Sequence, residues 1–170
     1  MQTFARQWCV AIQPRPEKKS KWRRKLMRRR YYLAYGSNLN IVQMQKRCPH
    51  SKPIGSVVLE GYELLFHGVA SIGEKEGSYV PCGLWLISKR DEISLDRYEG
   101  FPRMYRKEMV PIVFGKRRMK VMTYIMNGGK PALPSGGYLK TILDGYRDFG
   151  LDQAALEEAL HRTPYTFRWH

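Results

Sequence analysis

Two short stretches of the 170-residue chain hold residue types that could do chemistry together. The first is LDRYEGFPRMYRK, residues 95–107, with Glu99 at its centre. A helix that opens at Ser88 must close near Gly100, whose left-handed freedom suits a helix stop, with Pro102 just beyond. A carboxylate in the last helical turn faces the negative end of the helix dipole, a placement that costs from a few tenths to about 1 kcal/mol. Its neighbours Tyr98, Gly100, Phe101 and Pro102 solvate charge poorly. Dipole and partial burial both favour the neutral acid, so the pKa should rise toward the range that a general base for an amine needs. The competing reading is a surface glutamate paired with Arg97, Arg103 or Arg106.

The second stretch is YYLAYGSNLN, residues 31–40. An apolar strand stops at a small polar turn and a helix follows, so the N–H groups near Gly36, Ser37 and Asn38 could face an anion at the positive end of the helix. Turn-making and helix-capping explain the same residues without a ligand. There are too few glycines to wrap a phosphate, and neither G-x-G-x-x-G nor G-x-x-x-x-G-K-[ST] occurs, so the suggested guest is as small as a carboxylate. Ser37 finds no support as a nucleophile, because G-x-S-x-G is absent and no histidine can be assigned as its base. Tyr35, Tyr105, Tyr124 and Tyr138 fall at strand ends and loops. Each could be core, but a buried hydroxyl needs a partner and a polar pocket offers one. His50, His67, His161 and His170 are scattered, Cys48-x-His50 is too little for a metal site, and no metal or cofactor is expected.

The elements that must position these residues follow from pattern. Residues 31–35 read as a buried strand, and 38–47 as a short helix with Leu39, Val42 and Met44 inward. Residues 54–70 read as two strands joined at Glu60-Gly61, with Val58, Leu59, Leu64 and Phe66 in the core, and 71–78 as a polar loop. A strand over 79–88 leads to a capping box at Ser88 and Asp91 and a helix to Gly100. Two strands meet at Gly115-Lys116, a Gly/Pro loop spans 128–137, and two helices follow, the second capped by Asp152 and trailed by an aromatic tail. Strands and helices do not alternate regularly, which disfavours a doubly wound parallel sheet. An α+β fold built on a small mixed barrel or strongly bent sheet, with helices outside, is expected.

Composition bounds the rest. Hydrophobic residues at 43% and charged residues at 26% are ordinary for a globular chain, and no apolar run reaches the roughly 18 residues of a membrane span. Cys9, Cys48 and Cys82 form no C-x-x-C pair and fit a reducing cytoplasm, the expected compartment. The net charge of +15 is concentrated: residues 1–30 hold 11 Lys/Arg against Glu17 alone. That arm is read as a disordered basic extension ahead of a domain over 31–170, with Met27 a natural start. A nucleic-acid-binding tail and a targeting segment are the other readings.

These motifs, in their order and spacing, resemble the gamma-glutamylcyclotransferase-like proteins, including the gamma-glutamylamine cyclotransferase branch. The likeness runs from YYLAYGSNLN through MQKRCP, GYELLF and LDRYEGFPRMYRK to the loop ended by Tyr138, over residues 31 to about 150. The resemblance implies a mixed beta barrel flanked by helices and a pocket beside the turn. Tyr35, Gly36, Ser37 and Asn38 would hold a gamma-glutamyl head, Glu99 would be the general acid/base, and Tyr105, Tyr124 and Tyr138 would line the pocket. It implies release of 5-oxoproline and an amine or amino acid without a cofactor. The rival is a non-catalytic module of the same fold whose arm binds nucleic acid or another acidic partner. Such binding would weaken steeply with salt and on removal of residues 1–26.

Overall fold

The structure is a computed structural model and describes residues 28–164. The readings made for residues 1–27, Met27 included, and for the aromatic tail from Tyr165 lie outside the described residues. β1 (Arg30–Ala34) is the middle strand of a five-stranded mixed sheet. It pairs antiparallel with β3 (Ala70–Ile87), Arg30 opposite Ile87 through Ala34 opposite Gly83, and parallel with β5 (Arg117–Met126), Tyr32 opposite Met122. β2 (Lys52–Phe66) flanks β3 and β4 (Tyr105–Phe114) flanks β5, giving the order β2-β3-β1-β5-β4. A strand covered on both faces has no need of alternation, and Tyr32, Leu33, Ala34 and Tyr35 are all buried.

In a flat sheet the two outer strands would stand about 19 Å apart. Here a Cβ built on Gly55 of β2 would lie 3.5 Å from the Phe114 ring of β4. The sheet therefore curls into the small barrel-like α+β form expected, without hydrogen bonds closing β2 on β4. Outside it lie α1 (Ile41–Arg47), α2 (Lys89–Tyr98), α3 (Gly136–Phe149) and α4 (Ala154–Arg162). No helix among the described residues is long and apolar enough to cross a membrane.

Five expectations are corrected. Glu60-Gly61 is not a turn: β2 runs through it as one strand of 15 residues, with a register shift between Glu60 and Tyr62 and Gly61 at φ +76°. At the shift one residue of β2, Gly61, faces residues 75–78 of β3, and the alternation of β2 changes phase, so Val57 and Leu59 are buried before it and Tyr62, Leu64 and Phe66 after it. Residues 71–78 are not a loop but part of β3: Ala70–Glu74 pair with Tyr62–Phe66, Ile72 is buried opposite Leu64, only the stretch from Glu74 to Gly77 is exposed, and the turn lies at residues 67–69. Val58 is 49% exposed and Val42 59% exposed, because each points away from the sheet while Leu59 and Met44 point in. The helix expected over 38–47 is divided by Asn40 into a 3-10 turn, Ser37–Leu39, and α1. Asp152 is not the cap of α4. Gln153 holds that position without a side-chain bond, and Asp152 Oδ1 accepts from Ala154 N at 3.2 Å.

Candidate active site

The β1–α1 junction builds one wall. After Ala34 the chain turns through Gly36; Leu39 N donates to Gly36 O at 2.9 Å and Asn40 N to Ser37 O at 3.2 Å. The side chain of Asn40 then caps α1 by accepting from Gln43 N at 2.9 Å. A 3-10 turn leaves its first amides without intrahelical partners, so those of Ser37 and Asn38 donate to no backbone acceptor among the described residues. Gly36 has a negative φ, −117°, and no room beside it: a Cβ there would meet Ala70 Cβ at 3.1 Å and Tyr138 Oη at 3.2 Å. Gly145 of α3 lies closer still, its Cβ position 2.4 Å from Leu39 Cβ and 2.6 Å from the Leu39 carbonyl carbon. The helix thus backs directly onto the turn.

The opposite wall ends in Glu99. The capping box at Ser88 and Asp91 starts α2 as expected. Its end is a Schellman motif, with Gly100 N donating to Arg97 O at 3.3 Å and Phe101 N to Asp96 O at 2.9 Å, and Gly100 at φ +62°. Glu99 occupies the C-cap position, its carboxyl drawn inward to accept from Asn38 Nδ2 at 2.6 Å. Burial strips water from the carboxyl and pushes its pKa up to about 7, while the Asn38 hydrogen bond and the Arg47 charge pull the other way. Glu99 forms no ion pair among the described residues; Arg106, one of the partners considered, holds Glu108 instead.

Between the walls, Tyr32, Tyr35, Gly36, Ser37, Asn38, Ala70, Glu99, Tyr105, Tyr124 and Tyr138 line one small cavity of about 20 Å³. All eight residues singled out in the sequence meet there. The tyrosine hydroxyls are not equivalent. Tyr35 Oη donates to Tyr124 O at 2.5 Å, Tyr105 Oη to Ala70 O at 2.7 Å, and Tyr124 Oη to Asp96 Oδ1 at 2.6 Å. Their protons are engaged, and each has lone pairs for an incoming N–H or ammonium. Tyr138 Oη accepts from Ala70 N at 3.2 Å and Tyr32 Oη accepts from Asn38 Nδ2 at 2.8 Å, which leaves each with a proton to donate. Burial first, and nearby acidic groups second, hold the phenols of Tyr32, Tyr35, Tyr105, Tyr124 and Tyr138 above their ordinary pKa, so all five stay neutral.

Sequence reasoning missed three neighbours. Tyr32 joins the cavity because both faces of β1 are covered; the strand's unbroken apolar run was the signal. Tyr98 Oη lies 3.2 Å from Ser37 Oγ, and the Arg47 guanidinium stacks 3.4 Å from the Tyr98 ring centroid. Arg47 Nη1 also donates to Asn38 Oδ1. Arg47 ends α1, and a basic residue there reads first as a helix-dipole partner, which hid its second contact.

A larger cleft of about 1100 Å³ opens at the seam between β2 and β4, lined by Val57, Tyr79, Ile112 and Met119 among others. It shares no residue with the Glu99 cavity. Chemistry needs converging polar groups more than volume, and the small cavity is where a carboxyl of raised pKa meets unpartnered amides.

A family model described as gamma-glutamyl cyclotransferase, AIG2-like, matches residues 32–140. Among solved structures, one described as a gamma-glutamyl cyclotransferase superposes with a TM-score of 0.68 at 24% identity, over 84% of this chain and 94% of that one, and shows the fold. The human protein loc79017, described as uncharacterized, gives 0.70 at 25% identity over 84% and 92%. YkqA from Bacillus subtilis gives 0.69 at 25%, over 87% of this chain and 60% of that one. Comparison with curated proteins returned no match. The span of the family match, which takes in both walls of the cavity, places the chain in the gamma-glutamyl cyclotransferase, AIG2-like family.

Proposed function

We propose that the protein is a cyclotransferase that cleaves gamma-glutamyl compounds to 5-oxoproline and an amine or amino acid, with Glu99 as general acid/base. The observation that carries this reading is Glu99 itself, a carboxyl with pKa near 7, held 2.6 Å from Asn38 and facing unpartnered amides across a tyrosine-lined cavity. A gamma-glutamyl amide contains its own nucleophile, but the alpha-amine is an ammonium near neutral pH and has no free lone pair. A base of matched pKa takes one proton, the nitrogen attacks the gamma-carbonyl carbon, and a five-membered lactam closes. The bond from the gamma-carbon to the leaving nitrogen then breaks as that nitrogen receives a proton from Glu99. The second ammonium proton follows the same route as the lactam N–H settles. Atoms and charge balance without a redox step.

Each wall has a part in this reading. The amides of Ser37 and Asn38, with the free protons of Tyr32 and Tyr138, suit the alpha-carboxylate and the oxyanion that develops on the gamma-oxygen. The lone pairs of Tyr35, Tyr105 and Tyr124 suit the ammonium. Because both reacting groups belong to one molecule, holding it folded supplies much of the rate. The cavity has room for about one water, so a gamma-glutamyl head enters only with movement of the side chains that line it. The test is 5-oxoproline release from a panel of gamma-glutamyl amino acids and gamma-glutamyl amines, with Glu99→Gln beside the wild type. Release by the wild type and a loss of about 10²–10⁴-fold in the variant are expected for removal of a general base; a variant that retains turnover would end this assignment.

A further inference from the structure

Asn38 is the junction of the site. Its Nδ2 donates to two acceptors, Glu99 Oε1 at 2.6 Å and Tyr32 Oη at 2.8 Å, and its Oδ1 accepts from Arg47. It is 4% exposed, so no bulk water competes for it. An asparagine amide is symmetric in shape and can turn end for end, and its neighbours decide which end faces where. A guanidinium has only donors, so Arg47 can face only Oδ1, and the NH2 must then face Glu99. Arg47 is itself held, stacked on Tyr98 and bound through Nη2 to Gln43 Oε1 at 3.2 Å.

We infer that Arg47 is a positioning residue for the reaction proposed above: by fixing the Asn38 amide it presents an N–H donor to Glu99 and so favours the ionised, proton-accepting carboxylate. Without Arg47 the amide is free to turn, and a carbonyl oxygen facing Glu99 would favour the protonated acid. Loss of the positive charge acts in the same direction. The other groups that face Glu99 do not titrate in competition. Tyr32 comes from β1, Tyr35 from the residue just after it, Tyr105 from β4, Tyr124 from β5 and Tyr138 from α3, all phenols held neutral; Tyr98 of α2 borders them at Ser37. Arg47 is the charged partner that acts on Glu99 among the described residues.

The test follows the Glu99 carboxyl directly, by carbon NMR of the full chain labelled at glutamate side chains, with Glu99→Gln to assign the signal. The wild-type midpoint is expected near 7. In Arg47→Met, whose stem still covers Tyr98, it should rise to about 8, and in Arg47→Lys, a donor-only cation, it should stay close to the wild type. The acid limb of 5-oxoproline release should move with it. An unmoved midpoint in Arg47→Met, or one that rises as far in Arg47→Lys, overturns the inference. If Arg47→Met fails to fold, Arg47→Ala takes its place, and millimolar guanidinium should return its midpoint toward the wild type; failure to return counts against the inference. A rise in Arg47→Met with no release from any gamma-glutamyl compound would retain the positioning role and refute the cyclotransferase reading.

Discussion

Glu99→Gln should abolish turnover and at the same time stabilise the fold, but only where Glu99 would be ionised. In the unfolded chain the carboxyl titrates near its ordinary value of 4.5, and in the folded protein near 7. Between these values the folded state binds more protons than the unfolded state, so the wild type loses stability as pH rises, and above about 7 the full penalty is present. The difference of about 2.5 pKa units corresponds to roughly 3 kcal/mol at 1.36 kcal/mol per unit. That penalty already includes the Asn38 hydrogen bond, and glutamine, neutral like the protonated acid, keeps an acceptor for Asn38 Nδ2. The expected gain is therefore about 3 kcal/mol at pH 8, or a Tm higher by about 6–12 °C, shrinking to near zero at pH 4.5. Urea unfolding of both proteins across pH 4.5–8 measures it, and groups common to both cancel in the difference. A difference that does not change with pH, or a variant weaker than wild type at pH 8, would show that the carboxyl is not desolvated as described.

Gly145→Ala should destabilise the fold by about 2–3 kcal/mol despite the better helix propensity of alanine, because its Cβ meets the Leu39 backbone; denaturant unfolding reads this. Gly36→Val should raise KM for any gamma-glutamyl substrate by about tenfold or more by pushing Ala70 and the Tyr138 hydroxyl from the turn, whereas an unchanged KM would remove the turn from the site. Tyr124→Phe should lower stability by about 1–2 kcal/mol, since its hydroxyl is engaged with Asp96, and lower kcat/KM by about tenfold, because the oxygen offered to the ammonium is lost.

The candidate site was legible because its chemistry is concentrated in two short stretches, each ended by residues with strong local rules: Gly36 and Asn40 at the turn, Gly100 behind Glu99. The sheet was legible in kind but not in extent. Glu60-Gly61 has the composition of a turn, and only the shift of buried positions from 57 and 59 to 62, 64 and 66 distinguishes a bulge. The start of β3 was missed because only Ala70, Ser71 and Ile72 are buried before an exposed polar run from Glu74 to Gly77, too short an apolar stretch to mark a strand. Arg47 was invisible for another reason: its importance lies in the contact with Asn38, nine residues away and across a change of helix type.

The bare contact between Leu39 and Gly145 bears on portability. The turn and the middle of α3 meet with no side chain between them, and two further ties join the segments, Ile41 N donating to Asp148 Oδ2 at 2.8 Å and Gln43 Nε2 to Thr141 Oγ1 at 3.2 Å. A graft of residues 31–48 alone onto another scaffold would carry the amides and lose the surface that shapes them. The smallest unit that could carry this wall with its geometry is the turn together with α3, two pieces separated by about half of the chain, so the wall moves between scaffolds only as a pair, and Glu99 has to be supplied opposite it.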